Sequence, residues 1–261
     1  LLTILKLIPK YKGGFKIVRK IVKKLSDLIN KMEPTQIMVI GFAIIILIGA
    51  ILLNMPISTQ NGESIGFLDA LFTSTSAVCV TGLIAVDTST YWSFFGQLII
   101  ITLIQIGGLG FMTMTTLFAL IIKKRINLRE RLLIQESLNQ IDLSGLVKLT
   151  RYILLTTVLI EGTGALLLST VFIPQFGILK GIWYSIFHAI SAFCNAGFDL
   201  MGNEVPYNSL IGYYDDWLVN LVIMSLIIIG GLGFIVWDDL YRNKFHFRKY
   251  LLQTKLVLIA L

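Results

Sequence analysis

The chain reads as long uncharged runs separated by short polar or basic ones. Ile37–Leu53 carries no charge and is bounded by Gln36 and Asn54. As a helix it is just long enough to cross a hydrocarbon core of about 30 Å. Asn54-Met55-Pro56 ends it. Phe94–Ile122 is the next apolar helix, interrupted near its middle by Gly107-Gly108-Leu109-Gly110 and ended by Lys123-Lys124-Arg125. Tyr152–Ile173 is a third span, closed by Pro174. Trp217–Trp237 is a fourth, and Leu251–Leu261 starts another apolar run.

Two apolar stretches are too short to cross a bilayer. Phe67–Leu83 is FLDALFTSTSAVCVTGL, and Ile182–Phe198 is IWYSIFHAISAFCNAGF. Each starts with helical periodicity and passes into small residues and a glycine. An ungapped overlay sets Ser76 on Ser191, Ala77 on Ala192, Cys79 on Cys194 and Gly82 on Gly197. The hexapeptide Ile106-Gly107-Gly108-Leu109-Gly110-Phe111 recurs as Ile229-Gly230-Gly231-Leu232-Gly233-Phe234. From Gly82 to Gly107 is 25 positions and from Gly197 to Gly230 is 33, so the second copy has an outer loop eight residues longer. Two matched motifs in one order indicate an internal duplication. The expected layout is a basic N-terminal segment over 1–35, a first helix–pore–helix repeat over 36–125, and a cytoplasmic linker over 126–150. A second repeat follows over 151–240, then a linker and the start of a third over 241–261.

Composition agrees with a polytopic membrane protein: 56% of residues are hydrophobic and 14% charged, with a mean hydropathy of +0.82. The net charge of +7 follows topology rather than a nucleic-acid surface. Of 22 Lys and Arg, nine lie in 1–35, seven in 123–151 and five in 238–255. By the positive-inside rule those three segments share the cytoplasmic face, which makes the expected localisation a multi-pass cell-membrane protein with a cytoplasmic N-terminus. Within 1–35, Ile17, Val18, Ile21, Val22, Leu25, Leu28 and Ile29 fall at helical spacing opposite Lys and Arg. That suits either a helix on the inner leaflet or a flexible basic tail. The opposite loops carry Glu63, Asp69, Asp87, Asp199, Glu204, Asp215 and Asp216, an attractive mouth for cations. The two cysteines, at equivalent repeat positions, are expected as reduced, packed thiols. Two Cys and two His without ligand spacing argue against a metal site. No cleavable signal peptide is expected at the basic start.

The short stretches fit re-entrant pore loops. An ion leaving water needs substitutes for its hydration shell, and rings of backbone carbonyls supply them. Irregular backbone at membrane depth must line a water-filled path. Small and β-branched residues suit such a backbone, and glycine permits unusual dihedrals or close approach. The candidate filter residues are Val78, Cys79, Val80, Thr81 and Gly82 in the first loop, and Phe193, Cys194, Asn195, Ala196 and Gly197 in the second. Either loop alone equally fits a helix end with a capping glycine; the matched pair favours the filter. The GGLG segments are read as tight helix packing rather than ion binding. Glu161 lies well inside a span, so it is either a functional polar site or a paired interface residue. His188 is read as a packed or hydrogen-bonded residue, and Trp92, Trp183 and Trp217 as interfacial anchors. With no nucleophile–base pair near Glu161 and His188, an enzyme is not expected. A non-conducting scaffold of the same fold is the competing class.

The sequences TSTSAVCVTGL and HAISAFCNAGFDL, with the repeated IGGLGF, resemble the Trk/Ktr/HKT superfamily of potassium transporters over roughly residues 35–250. The nearest pattern is the KtrB-type membrane subunit of bacterial Ktr systems. The resemblance implies an all-α membrane protein of potassium-channel-like architecture, with four helix–pore loop–helix repeats around one pore and one filter glycine per repeat, here Gly82 and Gly197. It implies potassium uptake driven by membrane potential, often stimulated by sodium, with a sodium-conducting or non-conducting subunit as the alternative. It also implies a homodimer of the full-length subunit in the lipid bilayer, docked on a cytosolic nucleotide-binding ring of the KtrA type. No cofactor in this chain and no nucleic-acid partner are implied. Two repeats and the start of a third are expected here, so a fragment of a four-repeat subunit is favoured over a half-length protein that pairs with itself.

Overall fold

A computed structural model describes residues 34–110, 146–202, 205–244 and 246–260. The expectations for the basic segment, for the 126–150 linker up to residue 145, and for Glu204 lie outside these residues. The described residues are helical and contain no strand, only an isolated bridge between Thr59 and Trp92.

The first unit contains α1 (Pro34–Leu53), α2 (Phe67–Val78), the one-turn α3 (Thr88–Tyr91) and α4 (Phe94–Leu109). The second contains α5 (Leu146–Phe176), α6 (Ile178–Phe193) and α7 (Trp217–Gly231). α8 (Phe234–Asn243) and α9 (Leu252–Ala260) follow. α1, α2 and α4 pack on one another, and so do α5, α6 and α7; α4 joins the units by packing on α6. The two triplets pack through matched glycines. A Cβ on Gly49 of α1 would stand 2.7 Å from Leu103 of α4, and one on Gly164 of α5 would stand 2.8 Å from Leu226 of α7. Both pairs agree with the sequence repeat. Small residues at such points let helices approach in a membrane, where hydrophobicity alone does not drive them together.

One apolar core runs through both units and includes Leu53, Ile100, Ile104, Phe187, Phe198 and Val222. The outer faces are also apolar. Val39, Ile44 and Ile51 on α1, and Leu155, Val158 and Leu166 on α5, are exposed. Helices apolar on every side belong in lipid. Gln36–Leu53, 18 residues with mean hydropathy 2.8, and Tyr152–Phe176, 25 residues with 1.7 over an 18-residue window, are long and apolar enough to cross a membrane. α2, α4, α6 and α7 are shorter apolar helices.

Three sequence expectations need correction. Pro174 lies inside α5, which runs on to Phe176 before Gly177 turns the chain at φ +81°. A proline in the last turn forfeits one hydrogen bond but leaves the helix's earlier bonds intact. Trp217–Trp237 is not one helix: it breaks at Leu232-Gly233, and α8 starts beyond. Trp92 is not an interfacial anchor. It is 1% exposed, with its carbonyl accepting from the Gln97 side chain. Trp183 instead ties the units together, donating from Nε1 to Gln97 at 2.8 Å.

Candidate functional site

α2 and α6 end in the same hydrogen-bonded motif. Cys79 N donates to the Thr75 carbonyl at 2.8 Å, Val80 N to Ala77 at 3.3 Å and Thr81 N to Ser76 at 2.9 Å. In the second copy Cys194 N donates to Ile190 at 2.9 Å, Asn195 N to Ala192 at 3.0 Å and Ala196 N to Ser191 at 2.8 Å. This is a Schellman helix end, in which the residue after the cap takes a left-handed conformation. Val80 sits there at φ +56° and Asn195 at +58°. The helices are thus closed without their glycines. Gly82 and Gly197 lie two residues further on, at φ +75° and +74°. Asparagine tolerates the left-handed region; a β-branched valine is strained in it.

The two loops meet. A Cβ on Gly82 would stand 2.5 Å from the Ala196 carbonyl oxygen and 3.4 Å from the Gly197 Cα. A Cβ on Gly197 would stand 3.7 Å from the Gly82 Cα. The structure thereby brings two glycines 115 positions apart into backbone contact. Among the described residues, the carbonyls of Cys79, Val80, Thr81 and Gly82, and of Cys194, Asn195, Ala196 and Gly197, accept no hydrogen bond. Cys79, Thr81, Asn195 and Gly197 are exposed. Val78 and Phe193, the first candidate of each loop, differ from the rest. Both are buried helix residues, and their carbonyl oxygens rest against Gly107 and Gly230.

The GGLG segments therefore do two separable things. Gly107 and Gly230 admit the carbonyl at the end of the short helix, as the packing reading expects. Gly110 and Gly233 break the backbone, at φ +81° and ψ 140° in one copy and +83° and 148° in the other. Only glycine enters that region freely.

Glu161 is 7% exposed and accepts from Gln105 Nε2 through both carboxylate oxygens, at 3.0 and 3.1 Å. Gln105 Oε1 faces Cys194 Sγ at 3.9 Å. A side-chain chain thus links α5, α4 and the second loop. Neither cysteine is in a disulfide, and no group of metal-ligating side chains occurs among the described residues. His188 is 2% exposed; Nδ1 lies 2.7 Å from the Tyr184 carbonyl, and Nε2 lies 3.2 Å from Leu200 N.

Two of the acids expected at an outer mouth serve the fold. Asp216 caps α7, accepting from Leu218 N and Val219 N at 3.0 Å each. Asp87 caps α3, with Oδ1 accepting from Ser89 N at 3.0 Å and Thr90 N at 2.9 Å, and from both their hydroxyls. Its Oδ2 accepts from Tyr207 N at 2.8 Å, 120 positions away. Burial pushes the Asp87 carboxyl up, but these donors outweigh it and hold it below its ordinary value of 3.8. Sequence reasoning missed Gln105 and the reach of Asp87. An uncharged glutamine gives little signal, although Asp87-Thr88-Ser89-Thr90 has the pattern of an N-cap.

The model of the TrkH family, described as cation transport protein, matches residues 16–259. The chain is 50% identical over 224 residues to the potassium/sodium uptake protein NtpJ of Enterococcus hirae, covering 86% of this chain and 47% of that protein. It is 48% identical over 228 residues to the Ktr system potassium uptake protein B of Bacillus subtilis, covering 87% and 49%. The protein of that name in Vibrio alginolyticus is 38% identical over 231 residues, covering 87% and 49%. The chain spans about half the length of the curated relatives it matches. On the extent of the family match and these identities, the chain belongs to the TrkH family of cation transport proteins.

Proposed function

We propose that this chain supplies two of the pore-lining units of a potassium uptake protein. In this reading α1–α2–α4 and α5–α6–α7 are helix–pore loop–helix repeats, and the ion passes along the loops that follow α2 and α6. Carbonyl oxygens of Cys79–Gly82 and Cys194–Gly197 stand in for the ion's water. Val78 and Phe193, seated against glycines, act as anchors of the loops. The short helices aim their C-terminal ends at the loops, which favours cations over anions.

The observation that carries this reading is the contact between Gly82 and Gly197 at the tips of two loops with the same backbone. A filter needs several such loops around one axis. The curated relatives are about twice the aligned length, which leaves room for two more. The inner ends are the basic ones, so the N-terminus is cytoplasmic and inward movement of potassium follows the membrane potential. Relatives named as part of a Ktr system support a multi-component assembly. The form proposed for it is a homodimer of the complete subunit docked on a cytosolic nucleotide-binding ring. Sodium enters as a stimulator or as a second transported ion. The latter is favoured by the potassium/sodium name of the Enterococcus hirae relative.

The test is Gly82→Ser and Gly197→Ser in the complete transporter, expressed in cells lacking other potassium uptake. Each is expected to raise the KM for potassium and to lower potassium-over-sodium discrimination by about tenfold or more. Unchanged affinity and discrimination in both variants would remove the filter assignment.

A further inference from the structure

The two loops share a backbone but are not held alike. In the first loop the tie from the short helix is local and falls before the glycine: the Thr81 hydroxyl donates to Ser76 Oγ at 2.9 Å. After Gly197, the second short helix reaches further. Ser191 Oγ donates to the Phe198 carbonyl at 2.6 Å, and His188 Nε2 receives the Leu200 N–H. The position matching His188 is Thr73, whose hydroxyl donates to Asp69 in its own helix at 2.9 Å.

His188 is fixed as a neutral acceptor by its partners. A carbonyl can only accept, so Nδ1 carries the proton toward Tyr184; an N–H can only donate, so Nε2 is the bare nitrogen facing Leu200. The ring is wedged among Phe172, Tyr184 and Phe187, with centroid distances of 5.6, 6.3 and 6.1 Å. Phe198 and Leu200, which follow Gly197, are buried in the core, but one side of the loop is open. A cavity of about 220 Å³ is lined by His188, Ser191, Asn195, Gly197, Asp199 and Ile223. On that side the loop has no packing partner, so its hydrogen bonds carry more of its placement there.

We infer that His188 is a positioning residue for the second filter loop: its imidazole holds the Leu200 N–H and thereby sets the placement of the Gly197 carbonyl. The inference rests on the filter reading above. An ion-coordinating carbonyl displaced by a fraction of an ångström loses discrimination between ions before the pore loses conduction.

The experiment measures potassium uptake, with sodium as competitor, for His188→Phe, His188→Gln and Gly197→Ser in the complete transporter, normalised to protein in the membrane. Phenylalanine keeps the ring's approximate volume and loses both the Nε2 acceptor for Leu200 and the Nδ1 donor to Tyr184; glutamine keeps a side-chain acceptor and a donor. His188→Phe is expected to raise the potassium KM and reduce discrimination by about tenfold, the order of one buried hydrogen bond left unmade, with maximal rate within about twofold. His188→Gln is expected to stay within about threefold of the unaltered protein. If Gly197→Ser impairs discrimination while His188→Phe does not, the role of His188 falls and the filter reading stands. Equal impairment in His188→Phe and His188→Gln also overturns it, since the acceptor would then not be what matters. If Gly197→Ser itself changes nothing, the filter reading falls and takes this inference with it. Should His188→Phe not accumulate in the membrane, His188→Gln decides. Near-normal discrimination supports the strut, and a loss equal to that of Gly197→Ser refutes it.

Discussion

The carbonyl oxygen of Val78 is seated on the Cα of Gly107, leaving no room there for a side chain. Gly230 has the same relation to Phe193. Its neighbour Gly231 does not: a Cβ there would meet only Asn195 Nδ2, at an ordinary 3.7 Å. Gly230→Ala is therefore expected to destabilise the protein by about 1–3 kcal/mol, because backbone rather than a flexible tip must move. Gly231→Ala is expected to be neutral or stabilising in its helix. Thermal unfolding of the two purified variants in detergent checks the contrast; equal melting temperatures would contradict it.

Val80 occupies a left-handed position at φ +56° that its counterpart Asn195 occupies with little strain. Strain of this kind costs about 1–3 kcal/mol. Val80→Asn, which writes the second loop's residue into the first, is expected to raise the melting temperature by a few degrees. A lower melting temperature would show that the valine side chain contributes more packing than its backbone loses in strain.

Buried Glu161 and half-buried Gln105 form a pair between units. Removing one partner leaves the other unsatisfied, whereas replacing both with apolar groups is far less costly. Gln105→Leu is expected to cost about 2–3 kcal/mol, and Gln105→Leu with Glu161→Leu markedly less than the sum of the single changes. A double-mutant cycle on unfolding temperature measures this; additive losses would show that the two side chains act independently.

Asp87 ties the loop before α4 of the first unit to Tyr207 of the second. Its folded pKa lies below 3.8, so its contribution is complete above that value and is lost as pH falls through the folded pKa. Asp87→Asn cannot satisfy the donors on both carboxylate oxygens at once. The variant is expected to show protease sensitivity in 205–216 at neutral pH, and a smaller drop in melting temperature between pH 5 and 3 than the unaltered protein. Identical pH profiles would rule out Asp87 as the tie.

Much of this was legible in the sequence because the duplication checks itself. Matching Cys79 with Cys194 and Gly107 with Gly230 aligned residues that turn out to share dihedrals, hydrogen bonds and contacts. The helix ends were less legible. The glycines suggested caps, but the left-handed cap positions are Val80 and Asn195, and no propensity would nominate valine there. The break at Gly233 was hidden because apolar residues continue on both sides, so hydropathy reads straight through a backbone turn. The burial of Trp92 and the pairing of Gln105 with Glu161 depend on what the fold brings near, which spacing along one chain does not encode.

The most direct measurement is to locate rubidium, a heavy stand-in for potassium, by anomalous diffraction from crystals of the complete transporter. An ion is expected within direct coordination distance of the backbone oxygens around Gly82 and Gly197, on the axis where those loops meet. Rubidium bound elsewhere, with both loops sealed against protein or lipid and no ion between them, would contradict it.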